Sequence, residues 1–432
     1  MSVAILGGGV TGLATGVASG APVFEATPVP GGICSSYYVR PGSTERLHER
    51  PADEEVYRFE LGGGHWIFGG NPVVLRYLAS LTPLRRHERI SSVYFPHERL
   101  AVPYPLQNHL AFLGQELAAR ALPEMAQPLR TVRTMEEWLQ QSFGPTLGER
   151  FFIPFHRLYT AGLYDRIAPQ DAYKSPVDIG LAIRGTLGRV PAVGYNVEFL
   201  YPMGGLDTLT RRMAAACRMQ YGKRAVRLDV GAKTVVFEDG TTAKYDVLLS
   251  TLPLNHAIEM AGLKVDAPAD PYTSVLVLNV GARRGPQRLD DHWIYLADTR
   301  TGFHRVGFYD NVDVDFLPAS ARERHDRVSL YIERAYVGGE KPRDAEIAAY
   351  ATAVVQELRE WGFIEDAEVV DPTWIEVAYT WSWPGSPWTR QAVRALEKHD
   401  VHQIGRYGRW VFQGIAESIH EGLAAGTALR GV

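Results

Sequence analysis

The chemistry this chain can support is first visible in Gly7-Gly8-Gly9-Val10-Thr11-Gly12. The run follows the apolar stretch Val3-Ala4-Ile5-Leu6 and precedes small residues suited to a helix. A GxGxxG at a strand-to-helix turn lets backbone approach a pyrophosphate and aims the partial positive charge of a helix N-terminus at the phosphates. A second apolar strand, Pro22-Val23-Phe24, ends in Glu25, whose carboxylate can accept hydrogen bonds from adenosine ribose hydroxyls. Together these features predict a dinucleotide site with Gly7, Gly9, Val10, Thr11, Gly12 and Glu25 as its residues. The competing reading is a glycine-rich turn beside a buried acid. Gly31-Gly32 follows the acid where an NAD site would continue into its next βα repeat, and it points to FAD. The short spacing from Gly7 to Glu25 predicts a brief first helix.

Those residues need elements to hold them, and 432 residues exceed the size at which a single core stops growing, so at least two domains are predicted. Asn71-Pro72 is a cap and first-turn pair for a helix running to Leu81, and Thr134-x-x-Glu137 is a capping box ahead of Trp138-Leu139. Residues 106–187 read as mostly helical. Residues 225–254 read as strands, with a turn at Asp239-Gly240, and further strands are predicted at 275–280 and 328–332. Residues 344–362 carry Ile347, Tyr350, Ala351, Val354 and Leu358 at helical spacing. The predicted fold is α/β: a Rossmann-like FAD-binding domain (1–70, 190–260 and 395–432), a mostly helical insertion (71–189) and a substrate domain on an antiparallel or mixed sheet (261–394).

Composition narrows the partners. A net charge of −4 gives no electrostatic footprint for nucleic acid, and no stretch approaches the roughly 20 apolar residues of a membrane span. The chain enters a strand at once, leaving no room for a secretory signal, so a cytoplasmic location is the default. Two cysteines, Cys34 and Cys217, rule out a disulfide framework and predict no metal centre. Cys34 reads as a small buried apolar residue rather than a redox thiol.

Several downstream motifs occur in an order that carries a resemblance. These are Gly63-Gly64-His65-Trp66-Ile67-Phe68, Pro103-Tyr104-Pro105-Leu106-Gln107-Asn108, Gly194-Tyr195-Asn196-Val197-Glu198-Phe199, Phe303-His304-Arg305-Val306 and Gly405-Arg406-Tyr407-Gly408-Arg409-Trp410. Their order resembles the UDP-galactopyranose mutase family, and its eukaryotic-type members more than the bacterial ones. That resemblance implies a redox-neutral use of flavin, in which N5 of reduced FAD attacks the anomeric carbon of a nucleotide sugar, with NAD(P)H as a possible reductant. It also implies that Gly64, His65 and Arg406 lie at the flavin and that Arg305 holds the substrate pyrophosphate, where its planar fork suits phosphate. Tyr104, Asn108, Tyr159, Asn196 and Trp383 fall at substrate-binding positions. Gly414-Ile415 opens a C-terminal helix that returns to the flavin, with Ser418 and Ile419 as its cofactor-binding residues and Ala424, Ala425 and Gly426 permitting close approach.

The chain departs from the pattern on the sugar side. A Lys-x-Trp-like segment becomes Gly162-Leu163-Tyr164, a family arginine becomes Lys174, and an Asn-x-Asp-His-Ser-like segment becomes Ala416-Glu417-Ser418-Ile419-His420. Tyr164 and Lys174 are carried as catalytic candidates with His65 and Arg305. The resemblance therefore implies a mutase-like flavoenzyme acting on a nucleotide sugar. Two alternatives stand beside it: an FAD-dependent oxidase or dehydrogenase of the amine oxidase and protoporphyrinogen oxidase type, and a non-catalytic flavin-binding relative.

Overall fold

The computed structural model describes residues 1–128, 130–170, 177–191, 193 and 196–430. Its first unit is a five-stranded parallel sheet in the order Arg218–Gln220, Pro22–Phe24, Val3–Leu6, Val247–Ser250, Val401–Gln403. Strands from the beginning, middle and end of the chain thus share one sheet. Parallel strands of this kind are covered on both faces, and accordingly Ile5, Val23 and Leu248 are fully buried. Helix Val10–Ser19 packs between this sheet and the C-terminal helix Ile415–Ala428.

Glycine decides how closely those two helices approach. A Cβ at Gly422 would lie 2.3 Å from the Thr11 carbonyl oxygen, and one at Gly426 would lie 2.5 Å from that of Thr15. Gly422 and Gly426 therefore serve helix-to-helix packing, and Gly426, expected to permit close approach to a cofactor, instead permits close approach to Thr15.

The second unit is a seven-stranded mixed sheet in the order Ile364–Thr380, Tyr272–Arg284, Arg327–Val337, Arg305–Phe308, Trp293–Tyr295, Ser91–Phe95, Leu100–Pro103. Trp293–Tyr295 and Ser91–Phe95 run parallel, and the other neighbours are antiparallel. Helix Asp344–Glu360 covers one face with Ile347, Val354 and Leu358. Strands Leu84–Glu88, Ser91–Phe95 and Leu100–Pro103 lie within residues 71–189, so after its first helix that segment runs in sheet before it turns helical again. The short apolar run Ser91–Phe95 is buried on both faces, which removes the alternation that would have marked it as a strand.

Helix Pro72–Leu81 starts where the cap predicts, with Asn71 Oδ1 accepting from the Val73 amide at 2.8 Å, and the Thr134–Glu137 capping box opens Met135–Leu147. That helix continues through a π-helical turn, Gly148–Phe152, into Ile153–Tyr159. Phe155 of the last of these packs edge-on against Tyr295 of the mixed sheet, ring centroids 5.6 Å apart. Among the described residues no helix is long and apolar enough to cross a membrane, and no cluster of metal-ligating side chains occurs.

Candidate active site

One cleft of about 460 Å³ runs from the parallel sheet to the helical layer. Its first end is made of backbone. Gly7, Gly9, Val10 and Thr11 line it where strand Val3–Leu6 turns into helix Val10–Ser19. Gly7 has φ +94° and Gly31 φ +111°, left-handed geometry that favours glycine. A Cβ on Gly9 would meet nothing nearer than the Gly31 carbonyl oxygen at 4.0 Å, so the turn is open on the cleft side. The first-turn N–H groups of the helix have no intrahelical acceptor and present partial positive charge there.

Glu25 is buried and held rigid at this end. Oε2 accepts from the Gly8 amide at 2.7 Å, and Oε1 accepts from the Thr27 amide and hydroxyl at 2.8 Å each. A carboxylate has about four acceptor positions, so one remains for a ribose hydroxyl. Open glycines, a helix N-terminus and an oriented acid fit the pyrophosphate and adenosine of FAD. Cys34 lines the cleft beside Gly31-Gly32, and burial pushes its thiol up to about 12, so it is a neutral wall residue.

Farther along, His65 and two arginines converge. Arg406 donates to the carbonyls of Gln413 and Ala378 at 3.3 Å each and lies over the Phe412 ring at 4.8 Å. No carboxylate pairs with it among the described residues, so its charge faces the cleft unneutralised by an acid. His65 Nδ1 donates to the Gly63 carbonyl at 3.3 Å. Burial, and then the charges of Arg406 and Arg305, hold this imidazole down to about 4, so it is neutral at pH 7. Gly64 has no space for a side chain, because a Cβ would lie 2.1 Å from the Tyr331 hydroxyl.

The far end of the cleft is a chamber of rings. Phe155 faces Tyr295 edge-on at 5.6 Å, Tyr159 meets Tyr379 at 4.8 Å and Trp381 at 5.4 Å, and Tyr104 meets Tyr295 at 4.9 Å. Arg305 stands at the mouth of this chamber. Its Nε donates to Glu333 Oε2 at 3.0 Å, Nη2 donates to the same oxygen, and Nη2 also reaches the Tyr379 hydroxyl at 2.8 Å. Burial pushes the Glu333 carboxyl up and the guanidinium opposes that push. The preceding residue, His304, is buried against Phe155 and Tyr159 and held well below its usual range by burial and then by Arg305.

Most of the residues singled out in the sequence meet here. Gly7, Gly9, Val10, Thr11, Glu25, Gly31, Gly32, Gly64, His65, Arg406 and Ser418 all line the cleft, as do Tyr104, Tyr159, Asn196 and Arg305. Five do not. Gly12 sits inside the helix, where a Cβ would lie 1.9 Å from the Gly7 carbonyl oxygen, so it serves the turn and not the cleft wall. Ile419 is fully buried in the core with Trp66 and does not line the cleft. Tyr164 packs in the core of the helical layer, 3.4 Å from Arg157 Nη2. Asn108 is buried beneath Gly185, and the Trp383 indole donates outward to the Ala269 carbonyl at 2.9 Å. Lys174 lies outside the described residues.

The chamber contains side chains that motif reading passed over. Phe151, Phe152, Phe155, His156 and Tyr159 recur at helical spacing, a stripe that in sequence reads as ordinary core. Glu333 closes the apolar run Val328-Ser329-Leu330-Tyr331-Ile332, and an acid in a buried strand was its only signal.

Comparison with known proteins gives the family and the fold. The pattern of the flavin-containing amine oxidoreductases matches residues 22–428, and the chain belongs to that family. Its fold resembles that of reduced UDP-galactopyranose mutase, with a TM-score of 0.84 at 20% identity over 100% of this chain and 95% of that one. A protein from Exiguobacterium sp. 255-15, provisionally described as a protoporphyrinogen oxidase, gives 0.69 at 13% identity over 100% and 98%. Putrescine oxidase bound to putrescine gives 0.57 at 17% identity over 100% and 99%. At these identities the likeness is one of fold.

Proposed function

We propose that this chain is an FAD-dependent enzyme acting on a nucleotide-activated sugar in the manner of a UDP-galactopyranose mutase. Bound and reduced, FAD would supply a nucleophile for the anomeric carbon with no net redox change. The chain's own residues do the rest. The first turn of helix Val10–Ser19 and Glu25 fix the cofactor, and Arg406 offsets negative charge on it. Tyr104, Tyr295, Phe155 and Tyr159 enclose a flat base and keep water from the reacting end. Neutral His65 offers hydrogen bonding without adding charge beside two arginines. The observation that carries the reading is Arg305, a guanidinium at the mouth of the ring chamber and within the electrostatic reach of His65. Such a fork suits a diphosphate placed between base and sugar.

A second reading has its own observation. Glu333 already pairs with Arg305, which leaves the chamber wall aromatic and close to neutral, as an uncharged amine or ring substrate would require for oxidation. One experiment separates the two: oxidised and dithionite-reduced enzyme are incubated without oxygen with a panel of nucleotide sugars and of amines, and products are resolved by chromatography. Conversion of a nucleotide sugar by the reduced form alone supports the mutase reading. Conversion by the oxidised form, with stoichiometric bleaching of the flavin, overturns it in favour of the oxidase.

A further inference from the structure

Arg305 as it stands cannot grip a diphosphate with its fork. Nε and Nη2 both end on Glu333 Oε2, so the edge that would make paired bonds to phosphate is occupied. Glu333 cannot simply swing away, because a buried carboxylate left without partners is strongly disfavoured. An alternative partner lies within reach. His304 Nε2 lies 3.7 Å from Glu333 Oε2, just beyond hydrogen-bond distance, and both ring nitrogens of this 1% exposed side chain have no hydrogen-bond partner among the described residues. Its own amide already donates to the Glu333 carbonyl at 3.0 Å, so the two residues are locked at the backbone and only the side chains need to move.

We propose that His304 is a positioning residue for substrate binding: as a diphosphate enters, Glu333 turns from Arg305 to the Nε2–H of His304 and releases the guanidinium fork to the anion. A shift of less than an ångström brings the carboxylate oxygen into range of the imidazole. The exchange moves no proton. The ring is kept neutral by burial and by Arg305, and its Nε2–H tautomer donates without becoming charged. The buried nitrogen gains the partner it lacks, and the carboxylate is never left bare. The guanidinium fork is thereby presented only when an anion is there to meet it, which selects diphosphates over uncharged ring compounds that could otherwise fill the aromatic chamber.

This inference rests on the nucleotide-sugar reading, and the test keeps the two apart. FAD-loaded wild type, His304→Leu, His304→Gln, Glu333→Gln and the double variant His304→Leu/Glu333→Gln are titrated with UDP, following flavin fluorescence and, independently, heat. His304→Leu is expected to weaken UDP by at least about tenfold with unchanged FAD content, and His304→Gln, whose amide can donate to Glu333, to stay within about threefold of wild type. Glu333→Gln is expected to tighten UDP, and in that background the leucine penalty should vanish, because no carboxylate then needs a new partner. Wild-type affinity in His304→Leu overturns the exchange, and so does a leucine penalty that persists in the Glu333→Gln background. If His304→Leu does not fold, Glu333→Gln decides alone: weaker or unchanged UDP binding overturns the proposal. If neither wild type nor Glu333→Gln binds UDP, GDP or dTDP at millimolar concentration, the nucleotide-sugar reading has failed and the exchange falls with it.

Discussion

The two ends of the cleft are built from different materials. At the cofactor end the contact surface is backbone: glycines at positive φ, a helix N-terminus and one acid clamped by three hydrogen bonds. At the chamber end it is side chain, with rings from the helix Ile153–Tyr159, from the mixed sheet and from the loop at Tyr104, gathered around an arginine already bound to an acid. A backbone site offers little to vary, since almost any side chain would fill it. A side-chain site can be rebuilt one residue at a time while the scaffold stays.

The contrast can be broken most sharply inside a single turn. Gly12→Ala puts a methyl 1.9 Å from the Gly7 carbonyl oxygen and should leave little folded protein in the soluble fraction. Gly9→Ala meets no protein atom closer than 4.0 Å, so it should fold with a melting temperature of the apoprotein near wild type yet purify without flavin absorbance, the methyl standing where the pyrophosphate would lie. Equal behaviour of the two variants would mean that the turn is structural throughout.

A smaller effect comes from His65. Its folded-state value of about 4 lies below that of the unfolded chain, about 6.5, so the unfolded state binds the extra proton and stability falls as pH drops through that window. Going from pH 7 to pH 5 should cost about 2 kcal/mol from this residue alone, at about 1.4 kcal/mol per unit below 6.5. Urea titrations of wild type and His65→Asn at both pH values check it, and the variant should show a shallower loss. The smallest effect is expected for Tyr164→Phe. The hydroxyl makes one long contact to Arg157 outside the cleft, so stability should change by no more than about 0.5 kcal/mol and substrate affinity should not change. A large loss of affinity would return Tyr164 to the site.

The same contrast explains what could be read from the chain alone. Glycine spacing, the acid after Phe24 and the helix caps at Asn71 and Thr134 are local signals, and local geometry answered them. Gly12 and Ile419 were placed in the right elements but on the wrong faces, because a motif names positions and only packing decides which way a side chain points. The chamber is a meeting of segments far apart in sequence. Arg305 and Glu333 face one another across neighbouring strands, and nothing near either residue announces the other. Strand Ser91–Phe95, buried on both faces, had no alternation to reveal it, and its place in the sheet is set by a parallel partner some two hundred residues away.

The claim that the two ends are separable, one for FAD and one for a diphosphate-bearing substrate, meets its most direct test in Arg305→Ala. FAD content and UDP affinity are measured side by side on the same purified variant. Flavin content should stay near that of wild type while UDP binding weakens by roughly ten- to a hundredfold, the loss of a charge-assisted contact of about 1.5 to 3 kcal/mol. Unchanged UDP affinity would contradict it, making Arg305 a structural partner of Glu333 and the chamber a site for some other class of substrate.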